Sequence, residues 1–149
     1  MGSREEVGAR GFTLLELLVT LSVIALAVGL ALPAIGRSTE TVRARAEVAG
    51  FSAVLRHARE LAITRRLPHR VVVEPDARRV TVVGGDDEVR RTRVLSERLT
   101  IEAVAAPSLT VRFEPEGSSS GGEFRLTSGT TAYRVTVDAV TGRVRATRE

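Results

Sequence analysis

The sequence predicts an α+β fold: a long N-terminal helix, membrane anchor first and amphipathic half second, packed on an antiparallel two-sheet β domain. Three observations predict it. An apolar run covers residues 12–35, a pattern of helical period covers residues 38–66, and short strand patterns separated by turn residues follow Pro68. A chain of 149 residues is long enough for one anchor and one small domain.

These patterns divide the chain into four segments. Residues 1–11 are a short polar leader that we exclude from the mature domain, and residues 12–35 are a transmembrane or fibre-core helix. Residues 36–67 are expected to form the amphipathic helix, and residues 68–149 the β-rich domain.

The apolar run contains a single charged residue, Glu16. As a helix, the 24 residues from 12 to 35 would extend about 36 Å, enough to cross a bilayer core of roughly 30 Å. A carboxylate near the centre of a membrane helix costs about 2.5–3.5 kcal/mol, and less near an end. The position of Glu16 therefore indicates a function.

Cleavage after Gly11 would give that carboxylate a partner. Phe12 would then carry a free ammonium, and Glu16 lies four residues on, the spacing of one helix face. The carboxylate could then reach this ammonium or the ammonium of a neighbouring subunit.

Residues 11–16, Gly-Phe-Thr-Leu-Leu-Glu, resemble the signal of type IV prepilins. The resemblance implies cleavage between Gly11 and Phe12 by a membrane prepilin peptidase, and N-methylation of Phe12. It also implies that Glu16 recruits the subunit and compensates a neighbour's N-terminal charge in a fibre. The alternative is a plain single-pass membrane protein that keeps residues 1–11.

An apolar stripe at helical spacing follows the anchor. It is formed by Phe51, Leu55, Ala58 and Ala62, with Val48 and Leu61 beside them. We expect this stripe to pack on a sheet as core. The helix is predicted to end by residue 67, because a proline disfavours helical geometry in the residue before it.

Eight strands are predicted after the helix, joined by tight turns. Their expected ranges are 71–73, 79–83, 89–95, 99–104, 109–113, 124–127, 133–137 and 143–146. Short strands joined in this way indicate antiparallel pairing.

The second half resembles the pseudopilin H/FimT-like family of type IV pilin-like proteins. The resemblance rests on residues 113–122, Phe-Glu-Pro-Glu-Gly-Ser-Ser-Ser-Gly-Gly, and on residues 137–144, Val-Asp-x-x-Thr-Gly-Arg-Val. It implies a minor pseudopilin of the type II secretion pseudopilus, anchored once in the inner membrane with its C-terminal domain in the periplasm. The implied partners are prepilin peptidase and the other major and minor pseudopilins.

Arg143 and Arg145 suggest an alternative. On a strand they project to the same side, and two guanidinium groups suit bidentate contacts to phosphate. The Gly-Arg-x-Arg pattern also resembles one in FimT-like minor pilins that bind DNA for uptake. The competing interpretation is an edge strand whose arginines prevent aggregation.

Composition excludes several classes of site. The chain has no cysteine, hence no disulfide framework and no thiol nucleophile, and its net charge of +4 is spread over the sequence.

Residues 117–121, Gly-Ser-Ser-Ser-Gly, match a nucleophile elbow by letters alone, but a strand follows them instead of a helix. His57 and His69 lack a patterned carboxylate, and residues 86–88 are expected to form a solvated acidic turn. We expect no catalytic residue, no metal site and no cofactor.

Overall fold

One helix and eight strands form the part of the chain that the computed structural model describes, residues 12–105 and 109–149. Side chains of residues 31–39 and of residue 105 lie outside the described part, as do the leader and Gly11.

The helix, α1, runs over Leu14–Arg65. It begins after Thr13, whose hydroxyl accepts a hydrogen bond from the third helical residue. It ends where Arg66 adopts a left-handed backbone conformation, with φ of 53°. Such a residue commonly terminates a helix, and Pro68 two positions later cannot continue it. The end therefore falls two residues before the predicted limit at residue 67.

The chain divides into two compact units, Met1–Thr39 and Glu40–Glu149. In the described part of the first unit, the large apolar side chains from Phe12 to Leu30 are at least half exposed. The sequence predicts that residues 12–35 span a membrane. In the part of the chain that the structure describes, no helix combines the length and the apolarity needed to cross one.

The second unit contains two four-stranded antiparallel sheets. The strands are β1 His69–Glu74, β2 Arg79–Gly84, β3 Val89–Val94, β4 Leu99–Ala105, β5 Thr110–Phe113, β6 Gly122–Ser128, β7 Thr131–Val137 and β8 Val144–Arg148. The first sheet has the order β3-β2-β1-β5, and the second has the order β4-β6-β7-β8. Each predicted strand is present, with ends shifted by at most two residues, and the predicted α+β fold is confirmed.

The core joins the C-terminal half of α1 to both sheets. All four residues of the predicted stripe are buried, and so is Val48 beside them, whereas Leu61 is partly buried. Phe51 meets Phe124 of β6 edge to face, with ring centroids 5.4 Å apart. Val54 is also buried, although it lies outside the predicted stripe. Valines of the first sheet complete the core, including Val71 and Val82. The apolar stripe thus acts as the predicted packing face.

Candidate functional site

The N-terminal motif starts with a helix cap. The Glu16 backbone N–H donates to Thr13 Oγ1 at 3.2 Å, and the Leu17 N–H donates to the Thr13 carbonyl at 3.1 Å. Because α1 begins at Leu14, Glu16 is its third residue. Thr-x-x-Glu at these positions is the pattern of a capping box, and the helix dipole favours a carboxylate in the first turn.

The cap changes the geometry expected for Phe12 and Glu16, because α1 begins only after Phe12. Phe12 precedes the helix and is 76% exposed, so the four-residue spacing does not place it one helical turn from Glu16. The sequence signal for the cap is Thr13 followed three residues later by glutamate. The predicted cleavage position at Gly11 lies outside the described residues.

The turn between β7 and β8 is held by Asp138. Its Oδ1 accepts hydrogen bonds from the Thr141 N–H at 2.7 Å and the Thr141 hydroxyl at 2.8 Å. The Gly142 N–H donates to the Asp138 carbonyl at 2.8 Å. The bond from the Thr141 N–H is the main cause of a lowered pKa of the Asp138 carboxyl. Asp138 thus fixes the backbone immediately before Arg143.

Arg59 of α1 ties this turn to the loop after β5. Its Nε donates to the carbonyls of Gly117 and Thr141, each at 3.1 Å. Gly142 has φ of 61°, and a Cβ on it would lie 2.3 Å from the Gly117 carbonyl oxygen. The glycine of the Thr-Gly-Arg motif is therefore required by the close approach of two backbone segments.

The structure brings Arg143 and Arg145 to one cavity of about 490 Å³ on the second sheet. Glu123 and Asp138 line the same cavity. Glu123 also binds Arg134, at 2.6 Å. The two predicted arginines thus lie together, in a cavity that carries charges of both signs.

Hydrogen bonds hold the serine-rich loop, residues 117–121, against its neighbours. Ser119 Oγ donates to the Asp138 carbonyl at 2.9 Å, and the Ser120 N–H donates to the Arg112 carbonyl at 2.9 Å. These hydrogen bonds connect the loop to both sheets.

The two histidines lie apart from this loop in the sequence. His69 is buried with Nδ1 2.8 Å from the Leu67 carbonyl, and His57 is half-buried on α1.

The acidic turn at residues 86–88 is paired with arginine. Arg90 forms ion pairs with Asp86 and Glu88, and Arg70 binds Asp87 at 2.7 Å. Across the described residues, no group of three or more acidic, histidine or cysteine side chains is placed to hold a metal ion.

Two family models match the chain. The model of the family "Type II transport protein GspH" matches residues 47–142, and the model of the "Prokaryotic N-terminal methylation motif" matches residues 8–32. The first contains the packing stripe, the Arg59 contacts and the 138–142 turn. The second contains the capped helix start and Glu16.

Proteins similar to this chain include the type II secretion system protein H of Xanthomonas campestris pv. campestris. It is 33% identical over an alignment of 144 positions, and the match covers 92% of this chain and 82% of the relative. The minor pilin FimU of Pseudomonas aeruginosa PAO1 has a similar fold, with a TM-score of 0.61 and 17% identity over 73% of this chain and 91% of FimU. The minor pseudopilin EpsH of Vibrio cholerae gives a TM-score of 0.56 and 18% identity, over 73% of this chain and 96% of EpsH.

Proposed function

We propose that this chain, which belongs to the type II transport protein GspH family, is a minor pseudopilin of a type II secretion pseudopilus. The observation that carries the proposal is the joining, in one chain, of an N-terminal methylation motif to a GspH-family domain. The protein assembles and does no chemistry itself. Its partners are the other major and minor pseudopilins of the fibre.

The exposed apolar surface of α1 supports a role in a membrane and then in a fibre. Large apolar side chains are exposed on successive turns, including Leu14, Leu18, Leu21 and Ile24. A helix that is apolar on every side needs lipid or other helices around it. We propose that this segment anchors the chain in the inner membrane, with the C-terminal domain in the periplasm, and later packs among neighbouring helices of the fibre.

Prepilin peptidase processing completes the proposal. The peptidase cuts between Gly11 and Phe12, and Phe12 is then N-methylated. Gly11 has no side chain and therefore fits a peptidase subsite beside the one that holds the bulky Phe12. Glu16 then lies near the new N-terminus, where its carboxylate compensates the ammonium of a neighbouring subunit.

A secretion assay in a strain lacking this chain tests the function. We expect the wild-type gene to restore export of a type II substrate, and Gly11→Leu to leave an uncut, inactive precursor because leucine obstructs the subsite. Intact mass of the purified chain distinguishes the precursor from the cut, methylated form. Gly8→Leu is the matched leader control and should be processed. Full export by uncut Gly11→Leu, or normal export without the chain, would contradict the proposal.

A second candidate function is DNA binding by a minor pilin of an uptake system. The placement of Arg143 and Arg145 at one cavity favours it. The carboxylates of Glu123 and Asp138 at the same cavity weaken the positive potential there and favour the secretion role instead.

DNA binding across a salt series decides between the two. If Arg143 and Arg145 contact phosphates, Arg143→Ala/Arg145→Ala should lower the affinity for duplex DNA and flatten its salt dependence. Arg91→Ala/Arg98→Ala removes the same charge elsewhere and is the control. Absence of binding at moderate salt, or equal losses in both double variants, would exclude this function.

A further inference from the structure

A second groove lies between α1 and the end of the second sheet, on the face of β8 opposite to Arg145. Its volume is about 250 Å³. The lining residues from α1 include Arg45, Ser52 and Arg56, whose spacing of seven and four places them on one helix face. Tyr133 of β7 and Arg148 of β8 are register partners and close the other side.

Two hydroxyl groups in this groove lack partners. Ser52 is 1% exposed and Tyr133 is 7% exposed, and neither hydroxyl oxygen has a hydrogen-bond partner among the residues that the structure describes. A buried hydroxyl without a partner is costly to the folded protein, and such groups are rare. Both oxygens are covered in the free protein, and rotation of the neighbouring side chains would let each hydroxyl donate to an oxygen that enters the groove.

Three guanidinium groups surround these hydroxyls without a carboxylate. Over residues 40–105 and 109–149, no acidic side chain forms an ion pair with Arg45, Arg56 or Arg148, although Arg56 donates a long bond of 3.5 Å to the Val144 carbonyl. Among the described residues, ten ion pairs join eight other arginines to carboxylates, whereas Arg91 and Arg98 are as free of ion pairs as the three groove arginines. The residues that line the groove thus supply three guanidinium groups and no carboxylate.

The lining between the charges is apolar. Val48 and Ala49 of α1 and Ala146 of β8 contribute it. An acidic side chain suits this surface, because its methylene groups contact the alanines and valine while its carboxylate takes the hydroxyl and guanidinium donors. An inorganic anion or a sugar-phosphate backbone would leave the apolar lining without a matching group.

We propose that this groove binds an acidic peptide segment through a glutamate or aspartate side chain, with Ser52, Tyr133 and Arg148 as the principal donors. The assignment of this segment to a neighbouring subunit rests on the proposed function. The binding of an acidic peptide by the groove is independent of that function.

Tyr133 supplies a built-in probe, because the chain has one tyrosine and no tryptophan. The full chain in neutral detergent micelles is titrated with acetyl-Ala-Glu-Ala-Glu-Ala-amide while tyrosine emission is followed. We expect a saturable change in emission. The glutamine peptide of the same length should produce none, since it lacks the carboxylate.

Substitutions on one strand give a matched control. Arg148→Ala should weaken peptide binding about tenfold, the size expected for one charge-assisted hydrogen bond. Arg145→Ala removes the same charge from the opposite face of β8 and should leave affinity unchanged. Both residues are exposed, and thermal melts followed by circular dichroism check that both variants fold.

Ser52→Ala separates binding from structure. Because this hydroxyl has no partner in the free protein, its loss should leave the melting temperature equal or higher while it weakens peptide binding. A lowered melting temperature without a change in binding would assign Ser52 a packing role and overturn the proposal. So would absence of an emission change, equal affinity for the glutamine peptide, equal loss in Arg145→Ala, or saturation by inorganic phosphate alone. None of these readouts involves secretion, so they remain distinct from failure of the fibre proposal.

Discussion

At the scale of single residues, three positions far apart in sequence meet at one point. The Arg59 guanidinium holds two carbonyls at 3.1 Å, and one of them, that of Gly117, occupies the space that a side chain at position 142 would need. This contact gives the Thr-Gly-Arg motif a structural basis independent of any ligand. It also fixes the start of β8, and thereby the placement of Arg143 and Arg145.

Gly142→Ala should lower the free energy of unfolding by about 2 kcal/mol or more. The new Cβ adds a backbone clash to the cost of a left-handed conformation, which alone is about 1–2 kcal/mol for a residue with a side chain. Gly129→Ala is the matched control, since Gly129 has φ of 59° but its Cβ would have no atom closer than 3.9 Å. Chemical denaturation of both variants gives the two values. Equal losses would mean that the backbone conformation, and not the clash, decides the cost.

At the scale of elements, the start of α1 has two roles that can be separated. The cap uses the backbone N–H of Glu16, whereas assembly is proposed to use its carboxylate. The helix N-terminus carries a partial positive charge, which favours a carboxylate there even without a neighbouring subunit. A defect in a Glu16 variant therefore needs comparison with a defect in the cap.

Glu16→Ala should be cleaved normally but enter the fibre poorly, because alanine keeps the N–H of the cap and lacks the charge. Thr13→Ala removes the capping hydroxyl, costs about 1 kcal/mol of helix stability and keeps the carboxylate. Immunoblots of sheared fibre fractions measure incorporation, and mass measures cleavage. We expect Thr13→Ala to assemble better than Glu16→Ala. Normal incorporation of Glu16→Ala would refute the role assigned to the carboxylate.

At the scale of the whole molecule, the sequence predicted the elements better than their contacts. Eight strands and a packing stripe could be read from local periodicity, because side-chain alternation and helical spacing are properties of neighbouring residues. The order of the strands in two sheets could not, since β5 pairs with β1 and β4 pairs with β6 across intervening chain. Pairing between distant segments depends on the whole core.

The candidate sites likewise differ in whether the sequence alone could predict them. Glu16 was identifiable because one charge stands out in an apolar run, and Arg143 with Arg145 because strand spacing places them together. The groove at Ser52 and Tyr133 was not identifiable, since a serine on a helix and a tyrosine 81 positions later share no local pattern. Only the packing of α1 on the second sheet brings them to one groove.

The contact of Arg59 with Gly117 and Gly142 also constrains how related sequences can diverge. A side chain at position 142 is excluded while Arg59 holds the Gly117 carbonyl beside it. Replacement of Arg59 by a shorter residue removes one of the contacts that hold that carbonyl, so we expect asparagine, which tolerates a left-handed backbone, to cost less at 142 after that change. The reverse order passes through a destabilised intermediate. Divergence at these positions is therefore ordered in time, with the helix residue changing before the turn residue.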